Sequence, residues 1–306
     1  MLYLAQVLII LFLPVVLAGV TNRTKALWAG RKGYPILQLG YDLIRLMRKN
    51  SLYSTSTSWI FQSSGIVFLG TTIVAACLSP VFPGFSLISF QYDFIFFAYV
   101  LALGRIFLIL GALDTASAFE GMGASREAAY SALIEPALFI SLGTLSLLSN
   151  SSSMSTVVLH GPDFTSNLVI ILLCAISLFI LLQTEEARVP VDDPNTHLEL
   201  TMIHEVMILD HSGGDLALIQ YASAMKMTIL AGLIASLLNP FSILTELPEA
   251  IVTSIFIMLG IAVAVGLVES IIARVKMKVI PFYLSFALCA AILALAMTTF
   301  LRWHAQ

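Results

Sequence analysis

Charged residues are scarce in this sequence of 306 residues: 11% are Asp, Glu, Lys or Arg, whereas 59% are hydrophobic. A soluble globular domain usually carries about 25% charged residues. A chain of this composition could not cover a water-exposed surface, so we expect the lipid bilayer to be its solvent. The net charge of −3 provides no field that would attract a polyanion, so no nucleic-acid partner is expected.

Cysteine is also rare, and its three copies lie far apart, each within an apolar run: Cys77, Cys174 and Cys289. Without a CxxC pair, the chain offers neither a disulfide framework nor a ligand set for an iron–sulfur cluster. We therefore interpret the three thiols as small apolar residues within helices, and we expect no cofactor or metal in this chain.

Motifs of catalysis and nucleotide binding are missing as well. The segment 121–126 (Gly-Met-Gly-Ala-Ser-Arg) lacks a third glycine and follows no strand, so its glycines are expected to ease a tight turn into the next helix. His197, His204 and His211 recur every seven residues, but no histidine follows His204-Glu205 at the spacing of a zinc protease. No nucleophile–base set is evident, and we predict no catalytic residue.

Long apolar runs are what the sequence does contain, and eight of them approach the 20 or so residues that cross a bilayer. The sequence therefore predicts an all-α polytopic membrane protein forming a single transmembrane domain over residues 1–306. The predicted spans lie near 2–20, 59–79, 92–112, 128–149, 167–183, 217–238, 250–272 and 281–301.

The basic residues give the expected orientation. Residues 1–14 contain no charge, so the positive n-region of a signal peptide is missing, which favours a retained helix. If the N-terminus is outside, most of the 15 basic residues fall in inside loops, as the positive-inside rule requires. An even number of spans then places both termini outside. The inside set is Arg23, Lys25, Arg31, Lys32, Arg45, Arg48, Lys49, Arg126, Arg188, Arg274, Lys276 and Lys278.

Four charged residues fall within predicted spans: Arg105, Glu135, Lys226 and Glu269. A charge at the centre of a spanning helix costs about 3 kcal/mol or more, so each is a functional candidate. The alternative is a structural ion pair between helices, and Glu269 is close enough to the inner end of its span to reach the interface. For Glu135, which stands alone in a long apolar helix, proton transfer is favoured, because burial raises the pKa of a carboxyl.

The inside segment 184–215 is unusually acidic, and Arg188 is the only Arg or Lys within it. Pro190 and Pro194 impose bends, and the apolar run 198–209 predicts a partly buried helix capped by Asn195 or Thr196. Acids among apolar residues suggest a polar chamber at the membrane surface, able to hold protons or bind a small polar headgroup. These acids are Glu185, Glu186, Asp192, Asp193, Glu199, Glu205, Asp210 and Asp215.

The first inside loop has a different pattern. After the predicted turn at Gly33-Tyr34-Pro35, apolar and charged residues alternate at helical spacing through Lys49. This pattern predicts an amphipathic helix at the interface, lying on lipid or holding a peripheral partner.

These motifs together resemble a membrane-subunit family of respiratory complex I, the one named subunit one in mitochondria. The resemblance rests on Glu185-x-x-Arg188-x-Pro190-x-Asp192, Glu199-Leu200 and Ser212-Gly213, on Arg126 followed by Glu135, and on Gly33-Tyr34-Pro35 with the amphipathic helix after it. It covers nearly the whole chain. In that family the acidic loop lines the quinone cavity and begins the proton path.

Other positions are closer to the branch of that family found in membrane-bound [NiFe]-hydrogenases and formate hydrogenlyase. Asn195 and His197 stand where complex I proteins carry acids, which puts a complex I quinone site in doubt. The segment 191–213, Asp114-Thr115, Arg126-Glu127 and the stretch 223–226 look like the hydrogenase branch.

The resemblance implies a non-catalytic membrane anchor and proton-pathway subunit of an energy-converting oxidoreductase in the cell inner (cytoplasmic) membrane. It implies as partners the hydrogenase large and small subunits, the iron–sulfur protein of a peripheral arm and antiporter-like membrane subunits, with iron–sulfur clusters and a NiFe centre in those partners. Two alternatives stay open, a quinone-site subunit and a stand-alone ion transporter. The expected coupling residues are Glu135, Glu185, Glu186, Arg188, Asp192, Asp193, Glu199, Glu205, Asp210, Lys226 and Glu269, and the family-motif residues are Asp114, Arg126 and Glu127.

Overall fold

The computed structural model describes residues 2–81, 85–159, 167–192, 202–241, 247–272, 275 and 277–305. Over these residues it is all-α. The helices, in chain order, are α1 (Leu2–Trp28), α2 (Gln38–Met47), α3 (Trp59–Leu78), α4 (Asp93–Asp114), α5 (Ala118–Leu148), α6 (Met154–Leu159), α7 (Leu168–Glu185), α8 (His204–Met207), α9 (Gly213–Leu238), α10 (Leu247–Ile271) and α11 (Ile280–Ala305).

Eight of the described helices are long and apolar enough to cross a membrane, which confirms the predicted number of spans and the all-α class. The bounds differ most at α5, which begins at Ala118 rather than near 128. Hydropathy placed the start too late, because the first turns of α5 carry Glu120, Arg126 and Glu127. These charges are compatible with a helix that extends beyond the apolar zone.

Helix α9 lies at the centre of the bundle. Of the residues in its most apolar stretch, 72% are buried, a larger share than in any other span of the described chain. It contacts α1, α2, α3, α7 and α10, while α5 and α11 pack against each other and α11 also contacts α7. A central helix buried on all sides can bring a charged side chain to several neighbours, and Lys226 lies on this helix.

Glycines allow α3 and α4 to approach closely. A Cβ on Gly111 would lie 2.9 Å from both side-chain atoms of Ser64, and one on Gly104 would overlap Thr71. Small residues at helix crossings are the usual means of packing in a bilayer, where burial of apolar surface does not drive helices together. This crossing positions Arg105, the residue after Gly104, towards the interior, where it is 4% exposed.

One end of the bundle, here called the inner end, carries α2, α8 and the segment 186–192. The Asp114 carboxylate at the end of α4 accepts hydrogen bonds from the Ser58 backbone N–H (2.6 Å) and hydroxyl (2.8 Å), and Ser58 in turn caps α3. Ser212 accepts from the Leu52 N–H at 2.9 Å. These hydrogen bonds satisfy polar groups at the start of α3 and in the loop before it. Asp114 therefore fastens two spans together.

The predicted amphipathic helix of the first inside loop is present as α2, none of whose residues is buried. The helix predicted over 198–209 is much shorter, since only His204–Met207 is helical within the described part of that run. Its predicted caps, Asn195 and Thr196, lie outside the described residues.

The expectation of a tight turn at 121–126 is wrong. Gly121 and Gly123 lie within α5. A Cβ on Gly123 would overlap Val206 and lie 2.9 Å from the Ile203 carbonyl oxygen, whereas nothing lies within 4 Å of a Cβ on Gly121. Gly123 thus lets α8 pack directly on α5.

Candidate functional site

Arg105 is the centre of an ion-pair network between four spans. Its Nη1 donates to Glu135 Oε1 at 3.0 Å, its Nε lies 3.4 Å from Glu127 Oε1, and its Nη2 contacts Glu185 Oε1. The Arg105 side chain is 5% exposed. It lies about 13 Å along α4 from Asp114, at a rise of 1.5 Å per residue. A guanidinium at this depth is stable only when paired, and its fork of donors suits several carboxylates.

Lys226 completes this cluster from α9. Its Nζ donates to Glu185 Oε2 at 2.9 Å, so Glu185 is held by Arg105 on one oxygen and by Lys226 on the other. Lys226 Nζ also lies 4.6 Å from the centre of the Phe68 ring, a cation–π distance. A small cavity of about 10 Å³ adjoins Glu185 and Lys226 and is otherwise lined by aliphatic residues.

A second cluster surrounds Glu269 near the inner end of α10. Lys25 Nζ of α1 lies 2.8 Å from Glu269 Oε2, and Arg188 Nη1 lies 3.6 Å from Glu269 Oε1. The Glu269 side chain is only 1% exposed. The alternative that it reaches out to the interface is therefore wrong, because two cations compensate for its burial within the bundle.

Glu186 connects the two clusters. Its Oε2 lies 4.0 Å from Arg188 Nε, and its Oε1 accepts the Met227 backbone N–H at 3.0 Å. Burial raises the pKa of Glu186 to about 7, although the positive charges of Arg188 and Lys226 oppose that shift. Glu185 and Glu186 are consecutive and contact different clusters, so the two clusters adjoin at this point of the chain.

Three other acids of the inner end accept hydrogen bonds, two of them from backbone N–H groups and one from a side-chain hydroxyl. Asp192 Oδ2 accepts from the N–H groups of Ile203 (2.9 Å) and His204 (3.0 Å), at the start of α8. Glu120 Oε1 accepts the Asp210 N–H at 3.1 Å, and Asp215 Oδ2 accepts the Tyr53 hydroxyl at 2.6 Å. Arg126 of α5 donates to the Met202 carbonyl at 2.8 Å. These contacts define the path of the segment after residue 201.

A polar cavity of about 330 Å³ opens at the inner end beside the second cluster. Residues from α1, α2, the 186–188 stretch, α8 and α9 line it, among them Lys25, Asp42, Glu186, Arg188 and Glu205. Burial and the nearby Asp192 raise the pKa of Glu205, although Arg188 opposes the shift. Glu186 and Glu205 both line this cavity, so acids of the inner segment adjoin a polar space of the kind that the sequence predicts.

The histidines of the segment after residue 201 favour the neutral form. Burial, followed by the charge of Lys226, lowers the pKa of His204 to about 4, although Asp192 opposes the shift. Burial likewise lowers the pKa of His211 to about 4, and its ring stacks on Phe61 at 4.1 Å. In the part of the chain that the structure describes, no three His, Cys, Asp or Glu side chains cluster as metal ligands. His197 lies outside that part.

Of the expected coupling residues, the structure brings together Glu135, Glu185, Glu186, Arg188, Lys226 and Glu269, together with Glu127 from the family motif. Asp192 and Glu205 lie at the inner end near Glu186, and Asp210 donates its backbone N–H to Glu120. Asp193 and Glu199 lie outside the described residues.

One predicted environment differs from that observed. Glu135 is not enclosed, since 39% of its side chain is exposed on the flank of the bundle. The alternative interpretation of Arg105 as part of an ion pair between helices agrees with its three contacts.

The sequence pattern does not mark Lys25 as a member of the site, because the first apolar run ends near residue 20 and predicts a loop after it. The continuation of α1 to Trp28 is what brings Lys25 to Glu269. A helical interpretation of the polar segment 21–28, which contains neither proline nor glycine, could have found it.

The fold and the site define a class: a multi-pass membrane protein in which spans are joined by ionisable side chains paired inside the bundle. Residues 1–299 match the family model described as NADH dehydrogenase. The chain belongs to this family, which is that of NADH dehydrogenase subunit 1.

Curated relatives fall mainly in one branch. The chain is 30% identical to hydrogenase-4 component C of Escherichia coli K12 over 298 residues, which cover 94% of this chain and 92% of the relative. It is 25% identical to formate hydrogenlyase subunit 4 of the same organism over 287 residues, covering 91% and 92%. Identity to an NADH-quinone oxidoreductase subunit of Rubrobacter xylanophilus is 23% over 205 residues, covering 66% and 61%.

Among solved structures, the chain superposes on a chain of the membrane-bound sulfane sulfur reductase, an archaeal respiratory membrane complex. The TM-score is 0.78 at 20% identity, and the match covers 97% of this chain and 99% of that one. This similarity shows the fold alone. The sequence matches to the hydrogenase and formate hydrogenlyase components confirm the resemblance inferred from the motifs.

Proposed function

We propose that this chain is the membrane anchor and proton-pathway subunit of an energy-converting oxidoreductase complex of the membrane-bound hydrogenase or formate hydrogenlyase type. The observation that carries the proposal is that two clusters of paired ionisable groups adjoin at Glu185 and Glu186, one reaching Glu135 and the other reaching Glu269 and the inner cavity. The names of the two relatives with the highest identity among those described support the choice of complex.

In this proposal the carboxylates hold and pass protons, and the cations set how readily they do so. Glu186 is suited to proton exchange with the cavity, because its pKa of about 7 allows both forms at neutral pH. Glu185 then lies one residue away, between Lys226 and Arg105. A shift of Lys226 or Arg105 would change which carboxylate is charged. In this way the position of the proton would depend on structural changes at the inner end.

Electron transfer itself would take place in partner subunits. We propose that the hydrogenase large and small subunits and an iron–sulfur protein dock at the inner end, and that antiporter-like subunits lie alongside in the inner membrane. Iron–sulfur clusters and a NiFe centre belong to those partners in this proposal.

The direct test is mass spectrometry of the complex after gentle solubilisation, with nickel and iron analysis. Nickel together with a hydrogenase large subunit is the expected result. Iron without nickel, with the same kinds of partners, would point to a relative that reduces another acceptor. A single polypeptide without partners would overturn the proposal and favour a stand-alone transporter.

Coupling is tested separately with Glu185→Gln, which keeps the shape and a hydrogen-bonding group but cannot ionise. Glu249→Gln is the control, since Glu249 is an exposed acid on α10 away from the network. We expect Glu185→Gln to reduce proton movement per electron transferred in proteoliposomes while the complex still assembles. Normal proton movement in this variant would contradict the pathway.

A quinone-linked complex is the second candidate, favoured by the cavity of about 330 Å³ beside Glu205 and Arg188. Its polar lining and its position at the inner end suit a headgroup that enters from the membrane. Retention of quinone by the purified complex and response to quinone-site inhibitors would support it over the first proposal.

A further inference from the structure

A second cavity, of about 690 Å³, opens at the inner end of the bundle beside the last turns of α1, and is here called the α1 cavity. The proposed proton pathway makes no use of this space. The wall of the cavity is formed by α1 and by the turn that follows it, including Lys25, Ala29, Arg31 and Tyr34. Its volume lies in the range of small-molecule sites in proteins, so the cavity is large enough to receive a ligand.

The turn after α1 holds Arg31 at the wall of this cavity. Gly30 has a φ of +70°, the left-handed conformation that commonly ends a helix. The Arg31 N–H donates to the Ala26 carbonyl at 2.8 Å, and the Gly30 N–H donates to the Leu27 carbonyl at 3.0 Å. These two hydrogen bonds form a Schellman motif, so the backbone of Arg31 is fixed relative to α1.

The charge of the α1 cavity is positive. Lys25 and Arg31 are the charged residues among its described lining, and the chain contains no acid before Asp42. Lys25 is already paired with Glu269, whereas the Arg31 side chain makes no hydrogen bond or ion pair within the described part of the chain. Because a guanidinium presents a planar fork of donors, it matches the oxygens of a phosphate.

The depth of the cavity corresponds to the lipid headgroup layer. The uncharged part of α1, residues 2–21, is about 30 Å long at 1.5 Å per residue, which is the thickness of the hydrocarbon core. The rest of α1, to Trp28, therefore extends about 10 Å into the interface. Trp28 and Tyr34 are 60% and 74% exposed there. Tryptophan and tyrosine are enriched at the level of the headgroups, which indicates that the mouth of the cavity faces lipid.

The exposed side of α2 is a separate indication of lipid at this edge of the bundle. Its large apolar side chains recur every three or four residues and so form one stripe: Leu37, Tyr41, Ile44 and Met47. Exposed basic residues accompany this stripe: Arg45, Arg48 and Lys49. A helix with an apolar stripe and basic neighbours is typical of segments that lie on anionic lipid.

We propose that the α1 cavity binds the phosphate headgroup of an anionic phospholipid in the leaflet at the inner end, with Arg31 as its main charged contact. A free phosphate has the same charge chemistry, but the exposed aromatic and aliphatic side chains around the cavity favour a molecule with acyl chains. Lys25 lines both this cavity and the polar cavity beside Glu186, so the bound headgroup would lie next to the Glu269 cluster. The inference goes beyond the proposed function and does not depend on it, because it requires only the bilayer.

The test uses a phosphatidylglycerol analogue with a photoreactive group near its glycerol backbone. The protein, purified with any subunits that accompany it, is placed in phosphatidylcholine nanodiscs that contain this analogue. After irradiation, mass spectrometry maps the adducts. We expect adducts on peptides from residues 22–34, and few from the matching phosphatidylcholine analogue.

Arg31→Gln should reduce this labelling about fivefold, the loss expected for one basic residue at an anionic surface. Arg45→Gln is the control, since it removes an exposed basic residue of the same inner end that does not line the cavity, and it should leave the labelling of 22–34 unchanged. Ala29→Phe fills the cavity without changing its charge and should also reduce labelling. Leu27→Phe, which adds the same ring at an exposed position outside the cavity, should not.

Four results would overturn the proposal. Equal labelling by the phosphatidylcholine analogue would show lipid contact without selectivity for charge. Equal losses in Arg31→Gln and Arg45→Gln would show a general attraction to the basic surface. Displacement of the analogue by inorganic phosphate at constant ionic strength would assign the site to a free anion. Adducts elsewhere in the chain but none on 22–34 would show that another molecule, such as a peripheral subunit, covers the cavity.

Discussion

Arg105 and Glu185 are separated by 80 positions in the chain, yet the guanidinium of the first donates to one carboxylate oxygen of the second, while Lys226 donates to the other oxygen at 2.9 Å. The pair joins α4 to the inner end of α7, and Lys226 adds α9. The stability and the titration of the protein should therefore depend on the groups in and around this network.

The first prediction concerns Arg105. Arg105→Gln should destabilise the protein by about 3–5 kcal/mol, because it leaves three carboxylates close together with only Lys226 as a cation. Thermal unfolding in detergent measures the loss, and exposed Arg45→Gln is the control. The double variant with Glu185→Gln should recover part of the loss. If the two changes simply add, the residues are not coupled.

The second concerns Gly123. Gly123→Ala should cost about 1–3 kcal/mol, because the added methyl overlaps Val206 and displaces α8. Gly121→Ala, two positions away in the same helix, meets nothing within 4 Å and should be neutral or stabilising. Unfolding temperature and protease sensitivity of the segment after 201 measure the contrast. Equal effects of the two variants would show that α8 does not pack on Gly123.

The third concerns pH. The pKa of Glu186 in the folded protein is about 7, above 4.5, the usual value that applies to the unfolded chain. Below about pH 4.5 both states hold the proton and no penalty exists. As the pH rises from 4.5 to about 7, the unfolded chain ionises first, so stability falls by at most about 1.4 kcal/mol per pH unit.

Glu186→Gln should remove this fall, and infrared difference spectroscopy should lose a carboxyl band that titrates near pH 7. Arg188 and Lys226 favour the charged form and Glu269 disfavours it, so each affects the midpoint. A band that persists unchanged in Glu186→Gln would assign the titration to another group.

The fourth concerns Glu269, which links α10 to α1 through Lys25 and to the inner segment through Arg188. Glu269→Gln should destabilise the protein by several kcal/mol, because it leaves Lys25 without its carboxylate and Arg188 with Glu186 alone. Glu249→Gln, at an exposed position of the same helix, should change stability by less than about 0.5 kcal/mol. Comparable unfolding temperatures for the two variants would mean that the Glu269 cluster is not a structural link.

Sequence patterns predicted the all-α membrane class, the eight spans, the amphipathic α2, the acidic inner segment and the family, because each depends on composition over about 20 residues or on a short motif. Four functional candidates could also be identified directly, because each is a charged residue within an apolar run: Arg105, Glu135, Lys226 and Glu269. The cost of placing a charge in lipid is high enough that such residues are conspicuous in any span.

The tertiary structure alone decided which of these residues pair with one another. Consecutive Glu185 and Glu186 face different clusters, Lys25 reaches Glu269 because α1 continues to Trp28, and Glu135 faces outward while Arg105 is enclosed. These outcomes depend on the rotation and relative height of each helix, which are set by contacts such as those of Gly104 and Gly123. Hydropathy is summed over neighbouring residues and holds no information on the rotation of a helix, so most residues of the site could be predicted but their partners could not.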